Sequence, residues 1–237
     1  MRILVCDEDE SYVDDLIAKL KSFSCDEELI FESYTDTPGI ARQIQKGVPK
    51  DFDLAYIGDI IHGRNGFELA RMIRERNPEC IVIFLCDDYK YMHEGFRAYA
   101  FQMLLKQQNK YVESEFRRAL KVYKRIHFQV KIHTNSGKDI SVIPEDVHYI
   151  ETHGDQVTLA TDNYRYQGVI ENLKEVKVLL AEGYHFFQMH PQYFVNIEHI
   201  ELIRCGELRM ANGDSVPTSA MNREIIDETI QSYIDFY

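Results

Sequence analysis

Residues 53–59 read DLAYIGD, and Asn65-Gly66 stands a few positions downstream. Leu54 to Ile57 is an unbroken apolar run of strand length, with a charge before it at Asp53 and a break after it at Gly58-Asp59. A strand that is apolar on both faces is covered on both faces, as in a parallel sheet between helices. Behind Asn65-Gly66, residues Phe67, Leu69, Ala70 and Ile73 recur at helical spacing. A buried strand followed by an amphipathic helix is one βα unit, and the surrounding sequence repeats it.

Upstream, Ile3 to Val5 reads as a strand, and Tyr12, Leu16, Ile17 and Leu20 form a helix after a Ser11 cap. Leu29 to Phe31 is a second strand, and a helix begun after Pro38 continues from Ile40 to Ile44. Downstream, Ile81 to Leu85 is a central strand, Tyr91 to Tyr99 a helix, Met103 to Leu105 a last strand and Val112 to Tyr123 a last helix. Five βα units in roughly 125 residues predict an α/β doubly wound, five-stranded parallel sheet of the flavodoxin-like order.

The pattern changes near Arg125-Ile126-His127. Short alternating segments follow (Phe128 to Ile132, Ile140 to Ile143, Val147 to Thr152, Gln156 to Ala160), with turns at Asn135-Ser136-Gly137, His153-Gly154-Asp155 and Ala211-Asn212-Gly213. Two helical interludes, Ile170 to Leu180 and Asn222 to Tyr233, interrupt them. The expected organisation is an α/β domain over 1–125 and a mostly β domain over 126–237, joined without a Pro/Gly/Ser linker.

The net charge is −12, and its distribution matters more than its size. Residues 128–237 hold 8 Lys and Arg against 17 Asp and Glu, a balance of −9, which leaves −3 for residues 1–127. Such a domain is repelled by polyphosphate, because nucleic-acid binding draws affinity from neutralised phosphates. No apolar run approaches the roughly 20 residues that span a bilayer, and the start MRILVCDE turns acidic too soon for a secretory signal. Five cysteines without CxxC or metal-type spacing read as free thiols in a cytoplasmic protein with no membrane partner.

Residues 1–125 resemble a response-regulator receiver domain. In that family an acidic pair after the first strand holds Mg²⁺, and an aspartate ending the third strand accepts phosphate. A Thr or Ser ending the fourth strand senses the phosphate, and a lysine ending the fifth pairs with it. By this resemblance Asp7 and Glu8 match the acidic pair, Lys106 the lysine, Cys86 the sensing hydroxyl, Ile61-His62 the family's Met-Pro and Met103 its rotating aromatic. Counting back from Asn65-Gly66 places the acceptor at Gly58, which has no carboxylate. Asp59 is the possible substitute: strand alternation turns it to the opposite face, but a bulge at Gly58 would bring it back and complete a metal site of Asp7, Glu8 and Asp59. The bland alternative is that Asp7-Glu8 and Lys106 persist only as a buried ion pair, and Cys86 as a small buried hydrophobe.

Residues 126–237 resemble the LytTR DNA-binding domain. Val147 to Glu151 matches its "I-x-Y-I-E" strand, Val169 to Glu175 its "S-L-K-E" helix start and Phe186 to His190 its "F-F-R-x-H", with Gln188 for the arginine. Tyr193 to Asn196 matches "S-Y-L-V-N", and Met210 to Gly213 with Val216-Pro217 matches "L-x-N-G-x-x-I-P". The resemblance places DNA contacts at Gln156 or Val157, at Pro191 and at Ala220, with Gln156, His190, Gln192, Asn222 and Arg223 as the remaining donors. Val, Pro and Ala offer no side-chain hydrogen bond to base or phosphate. Lys174 with Lys177, and Arg204 with Arg209, are the local basic pairs. His190 and Asn196 also read as structural residues, Asn196 closing a turn.

The function expected is a response-regulator-type transcriptional regulator of a two-component system, with a receiver not phosphorylated in the usual way. Its partners would be double-stranded DNA, a sensor histidine kinase, and a second copy or a related regulator. The pairing face would carry Arg97, Lys106 and Arg117 with Glu94, Glu113 and Glu115. The alternative is a regulator-derived protein that binds other proteins rather than DNA. An enzyme has little support, since neither a base–nucleophile constellation nor a phosphate-cradling Gly loop is present.

Overall fold

The computed structural model describes residues 1–46, 51–88, 90–204 and 206–218. Ala220, Asn222, Arg223, Cys205 and the helix expected over Asn222 to Tyr233 lie outside the described residues. The chain divides into two compact units, Met1–Ile126 and His127–Tyr237.

The first unit contains the sheet that the apolar runs predict. Its strands are β1 (Arg2–Cys6), β2 (Ile30–Tyr34), β3 (Leu54–Gly58), β6 (Ile81–Cys86) and β7 (Gln102–Leu105), all parallel, in the order β2-β1-β3-β6-β7. A small hairpin of β4 (Ile60–Ile61) and β5 (Arg64–Asn65) follows β3. Helices α1 (Glu10–Ser22) and α5 (Val112–Ile126) bury Leu16, Leu20 and Phe116 on one face of the sheet, against Ile3, Val5, Tyr56 and Ile83. On the other face α2 (Thr37–Gln45) and α3 (Gly66–Arg76) bury Ile40, Phe67 and Ile73 against Leu4, Ile57 and Phe84, and α4 (Met92–Arg97) lies between β6 and β7. The cap of α1 is Asp9, whose carboxylate accepts from the Tyr12 amide, so the helix starts before Ser11.

The second unit is mostly β. Its larger sheet contains β8 (Val130–Thr134), β9 (Asp139–Val142), β10 (Tyr149–His153), β11 (Gln156–Ala160), β12 (Arg165–Val169), β13 (Phe186–His190) and β14 (Tyr193–Asn196), in the order β13-β14-β10-β11-β12-β8-β9. Helix α6 (Leu173–Gly183) precedes β13, and Leu180 packs with Ile132, Ile150, Leu159 and Phe194. A separate three-stranded sheet of β15 (Ile200–Arg204), β16 (Glu207–Met210) and β17 (Ser215–Pro217) packs Leu208, Met210 and Val216 on Tyr149, Met189 and Val195. Odd and even positions of β10 thus serve two different cores, as strand alternation requires.

Two glycines mark backbone crossings that tolerate no side chain. A Cβ at Gly66, the first residue of α3, would overlap the Gly58 carbonyl oxygen. One at Gly168 would overlap the His133 carbonyl oxygen between β12 and β8. Relief would require backbone to move, so Gly66→Ala and Gly168→Ala should each destabilise their own unit by about 2 kcal/mol or more. A fall in urea midpoint with an unchanged slope is the expected result, and wild-type midpoints would contradict this account of the crossings.

Candidate functional site

The C-terminal ends of β1, β3, β6 and β7 converge on one edge of the parallel sheet, and Gly58 lies there. β3 pairs with β6 in unbroken register from Leu54↔Ile81 through Gly58↔Leu85, and the Asp59 amide donates to the Leu85 carbonyl, so Gly58 does not bulge. A Cβ at Gly58 would point at Asp7, 2.7 Å from its Oδ2. Position 58 therefore faces the acidic residue after β1, where the resemblance puts the acceptor.

Lys106 holds Asp7. Its Nζ lies 2.9 Å from Oδ2 and 3.0 Å from Oδ1, with hydrogen-bond geometry satisfied at Oδ1 alone. The Asp9 amide also donates to Oδ1, and Asp7 is fully buried. Burial by itself would lower the Lys106 pKa, but the hydrogen bond and charge of Asp7, with the charges of Asp87 and Asp59, outweigh it and the net shift is upward. The lysine is thus held in its charged form at neutral pH. Losing either would leave a buried charge without its counterion, at a cost of about 3–5 kcal/mol.

The hydrogen bonds of Glu8 and Asp59 go elsewhere. Glu8 turns to the β4–β5 hairpin and accepts from the His62 amide, with His62 Nδ1 3.6 Å from the same carboxylate. His62 and Gly63 form the hairpin turn with φ of 49° and 72°, the left-handed pair that a two-residue turn of type I′ requires. Asp59 follows β3, and its Oδ1 accepts from the Ile60 amide. Burial raises its pKa, Lys106 opposes that rise, and Asp87 and Asp88 add to it. Asp7, Glu8 and Asp59 therefore do not converge as an Mg²⁺ site needs, and the described residues contain no group of three or more His, Cys, Asp or Glu side chains placed to hold a metal ion. The donor set does not fit the metal.

Cys86 is fully buried, and its thiol is pushed up to about 12 by burial first and then by Asp59, Asp87 and Asp88. At neutral pH it is a protonated core thiol rather than a reactive thiolate. Met103, at the position of the family's rotating aromatic, rests on α4 at Gly95, where a Cβ would come within 2.5 Å of its Sδ.

In the second unit the β13–β14 turn, expected to carry DNA contacts, is tied to β10. The Thr152 amide donates to the Gln192 carbonyl at 2.8 Å, beside the Glu151↔Tyr193 pair. Gln156 is exposed at the start of β11, whereas Val157 is 2% exposed and belongs to the core, which removes it as a contact residue. Pro191 and Gln192 are exposed. The Gln192 amide donates to Nδ1 of the half-buried His190, whose ring packs edge-on against Tyr193. Asn196 is 1% exposed and caps the turn Ile197–His199 by accepting from the Glu198 amide.

Gln188, in place of the family arginine, has a part that residue identity alone does not reveal. Its Nε2 donates to the carbonyls of His190 at 2.6 Å and Tyr193 at 3.1 Å, closing the β13–β14 turn from within. Its Oε1 accepts from Lys177 Nζ at 3.3 Å, and that ammonium sits 5.3 Å over the Phe194 ring with its pKa lowered by burial. Lys177 is thereby taken out of the basic pair with exposed Lys174. Arg209 likewise faces Glu201 at 3.3 Å, while Arg204 stays exposed. The signal in the sequence was the i, i+3 spacing of Lys174 and Lys177, which says nothing of a strand-borne acceptor beside one of them.

Comparison with known proteins agrees with this architecture. The family model of the LytTr DNA-binding domain matches residues 137–231. The sensory transduction protein LytT of Bacillus subtilis (strain 168) is 22% identical, over 92% of this chain and 94% of that protein. Among solved structures, a LytTr DNA-binding domain from Bacillus cereus is 24% identical over 43% of this chain and 95% of its own, with a TM-score of 0.37. The receiver domain of a Francisella response regulator is 20% identical over 53% of this chain and 98% of its own, with a TM-score of 0.42. Residues 137–231 thus form a LytTR DNA-binding domain, behind a five-stranded parallel α/β unit, in a chain similar along its length to a sensory transduction protein of that kind.

Proposed function

We propose that this regulator controls transcription from the cytoplasm through double-stranded DNA, and that its receiver unit works without phosphoryl transfer to position 58. The observation that carries the reading is the Asp7–Lys106 ion pair beside Gly58. The lysine that would neutralise a phosphoryl group neutralises Asp7 instead, and no carboxylate stands between them. Asp59 is a poor substitute, because its Oδ1 is engaged by the Ile60 amide and the regular pairing of Gly58 with Leu85 supplies no bulge to put Asp59 in its place. A sensor histidine kinase, if it meets this receiver, would dock without leaving a phosphoryl group there. Acetyl phosphate or beryllofluoride should produce no adduct detectable by mass spectrometry. An adduct on the wild type that disappears in Asp59→Asn would sink the reading.

DNA affinity should be modest and shallow in its salt dependence. Among the described residues of the second unit, Lys131, Lys138, Lys174 and Arg204 are the Lys and Arg side chains with neither an ion pair nor a side-chain hydrogen bond. Even with Arg223 added, counterion release limits the slope of log K against log salt to about −4 to −5. A duplex from the gene's own upstream region should shift at low ionic strength with a slope in that range. Absence of any shift would favour the second reading, a regulator-derived protein that engages other proteins, which the acidic charge and the tied Lys177 support.

We further infer a homodimer through the face of α4. The charges expected at that face are largely satisfied within the chain: Arg117 pairs with Glu113, Arg118 with Glu115, and Lys106 with Asp7. What remains is apolar and unusually open. Met92, Phe96 and Tyr99, at i, i+4 and i+7, are 41%, 74% and 81% exposed. Tyr99 also holds φ 51°, a conformation that L residues adopt at a cost. Light scattering at tens of micromolar (an order-of-magnitude choice for transient contacts) should give a concentration-dependent dimer that Phe96→Glu abolishes, and a monomeric mass throughout would contradict the inference.

A further inference from the structure

The second unit contains two stacked histidines that no part of the regulator reading uses. His148 lies just before β10 and is fully buried, and its ring stacks on that of half-buried His199 with centroids 3.9 Å apart and planes 14° apart. His148 Nε2 is 2.8 Å from Asp162 Oδ1, in the β11–β12 turn. His199 Nε2 is 2.6 Å from the Glu145 carbonyl, which can only accept. Each Nε2 therefore carries a proton and donates. His148 Nδ1 is then a bare acceptor, buried and without a hydrogen-bond partner.

These rings sit on the seam between the two sheets of the unit. His199 ends the turn that leads into β15, and its carbonyl accepts from the Ala211 amide beyond β16. Asp162 belongs to the turn that holds the small sheet a second time: Asn212 Nδ2 donates to the Thr161 carbonyl at 3.1 Å, and Arg165 and Tyr149 both reach Asp214. The stack thus clips the root of the three-stranded sheet to the seven-stranded one.

We propose that the His148–His199 stack is an acid-operated latch that fastens the three-stranded sheet to the seven-stranded sheet of this unit. A proton added to His148 goes to Nδ1, where no acceptor waits and where the ring lies face to face with a second imidazole. The groups facing it are His199 from the turn before β15, Asp162 from the β11–β12 turn and Arg165 from β12. Burial lowers the His148 pKa, His199 and Arg165 act in the same direction, and Asp162 opposes them. The sign follows: a ring with its pKa lowered in the closed state binds its proton more readily when the latch is open. Closure is therefore fully favoured above the ordinary histidine value of about 6.5 and lost progressively as pH falls below it. Protonation drives the ring out of the stack to find an acceptor, which releases His199 and the turn behind it.

The test uses the full chain. Each of its nine histidines gives a ring signal in nuclear magnetic resonance, and His148 is assigned by sequential backbone-to-ring connectivity and by its loss in His148→Gln. The His148 signal should titrate with a midpoint below 6.5, and a midpoint at or above that value overturns the latch. Hydrogen exchange at the Ala211 amide, corrected for its intrinsic pH dependence, reads the opening directly. Its protection should fall from pH 6.5 to 5.5 by up to about fivefold, the limit for one ring whose open-state value is about 6.5. In His148→Gln that fall should vanish, and a wild-type protection that does not fall refutes the proposal. Should His148→Gln fail to fold, His199→Gln serves in its place: there the His148 midpoint should rise toward 6.5, and an unmoved midpoint would show that the stack does not hold the proton off.

Discussion

The edge of the parallel sheet in the first unit is organised by one buried ion pair. Asp7 ends the turn after β1, Lys106 follows β7, and between them β3 ends in a residue with no side chain. In a medium of low dielectric an isolated carboxylate would be far more costly than a paired one, so each member of the pair compels the other. Around it, the remaining polar groups have local partners: Glu8 takes a hairpin amide, Asp59 takes the next amide along and Asp9 caps α1. The result is a closed arrangement of hydrogen bonds where a phosphorylation site would need an open carboxylate and room for a cation.

Gly58 has a structural meaning apart from lost chemistry. Its Cα is close to Asp7, and its carbonyl oxygen is covered by Gly66 at the start of α3. Two backbone segments and an acidic side chain thus meet in a space that a larger residue would fill. The loop between them, which the family closes with Met-Pro, is here a two-residue hairpin whose left-handed turn presents an amide to Glu8. Loop and Glu8 thus satisfy each other.

A similar inward turn of polar groups occurs in the second unit. Gln188 closes the β13–β14 turn with its amide and holds Lys177 with its carbonyl, so a residue at a family arginine position and a nearby lysine become internal supports. The exposed tips that remain, at Gln156, Pro191 and Gln192, are small in charge and varied in hydrogen-bonding capacity. The β13–β14 turn is bonded to β10 through Thr152 and Gln192. Rigid turns on a β scaffold suit recognition by shape and hydrogen bonding more than capture by charge.

The order of apolar runs and helical periods by itself determined the doubly wound sheet, its strand order and the change to alternating β structure, because each follows from which faces a segment must bury. The missing carboxylate was equally legible, since Asn65-Gly66 counts back to Gly58 whatever the side chains do. Other features waited on the tertiary structure. A bulge at Gly58 and a regular strand are the same letters, and only the pairing of Gly58 with Leu85 separates them. Val157 and Gln156 were interchangeable as surface residues until the sheet chose which of them faces the core. His148 and His199, or Lys177 and Gln188, are distant or unremarked in sequence, and their partnerships exist because strands and turns from separate segments pack side by side. Periodicity encodes what a segment buries, whereas the partner of a buried polar group is decided by the one neighbour that packing places within hydrogen-bond reach.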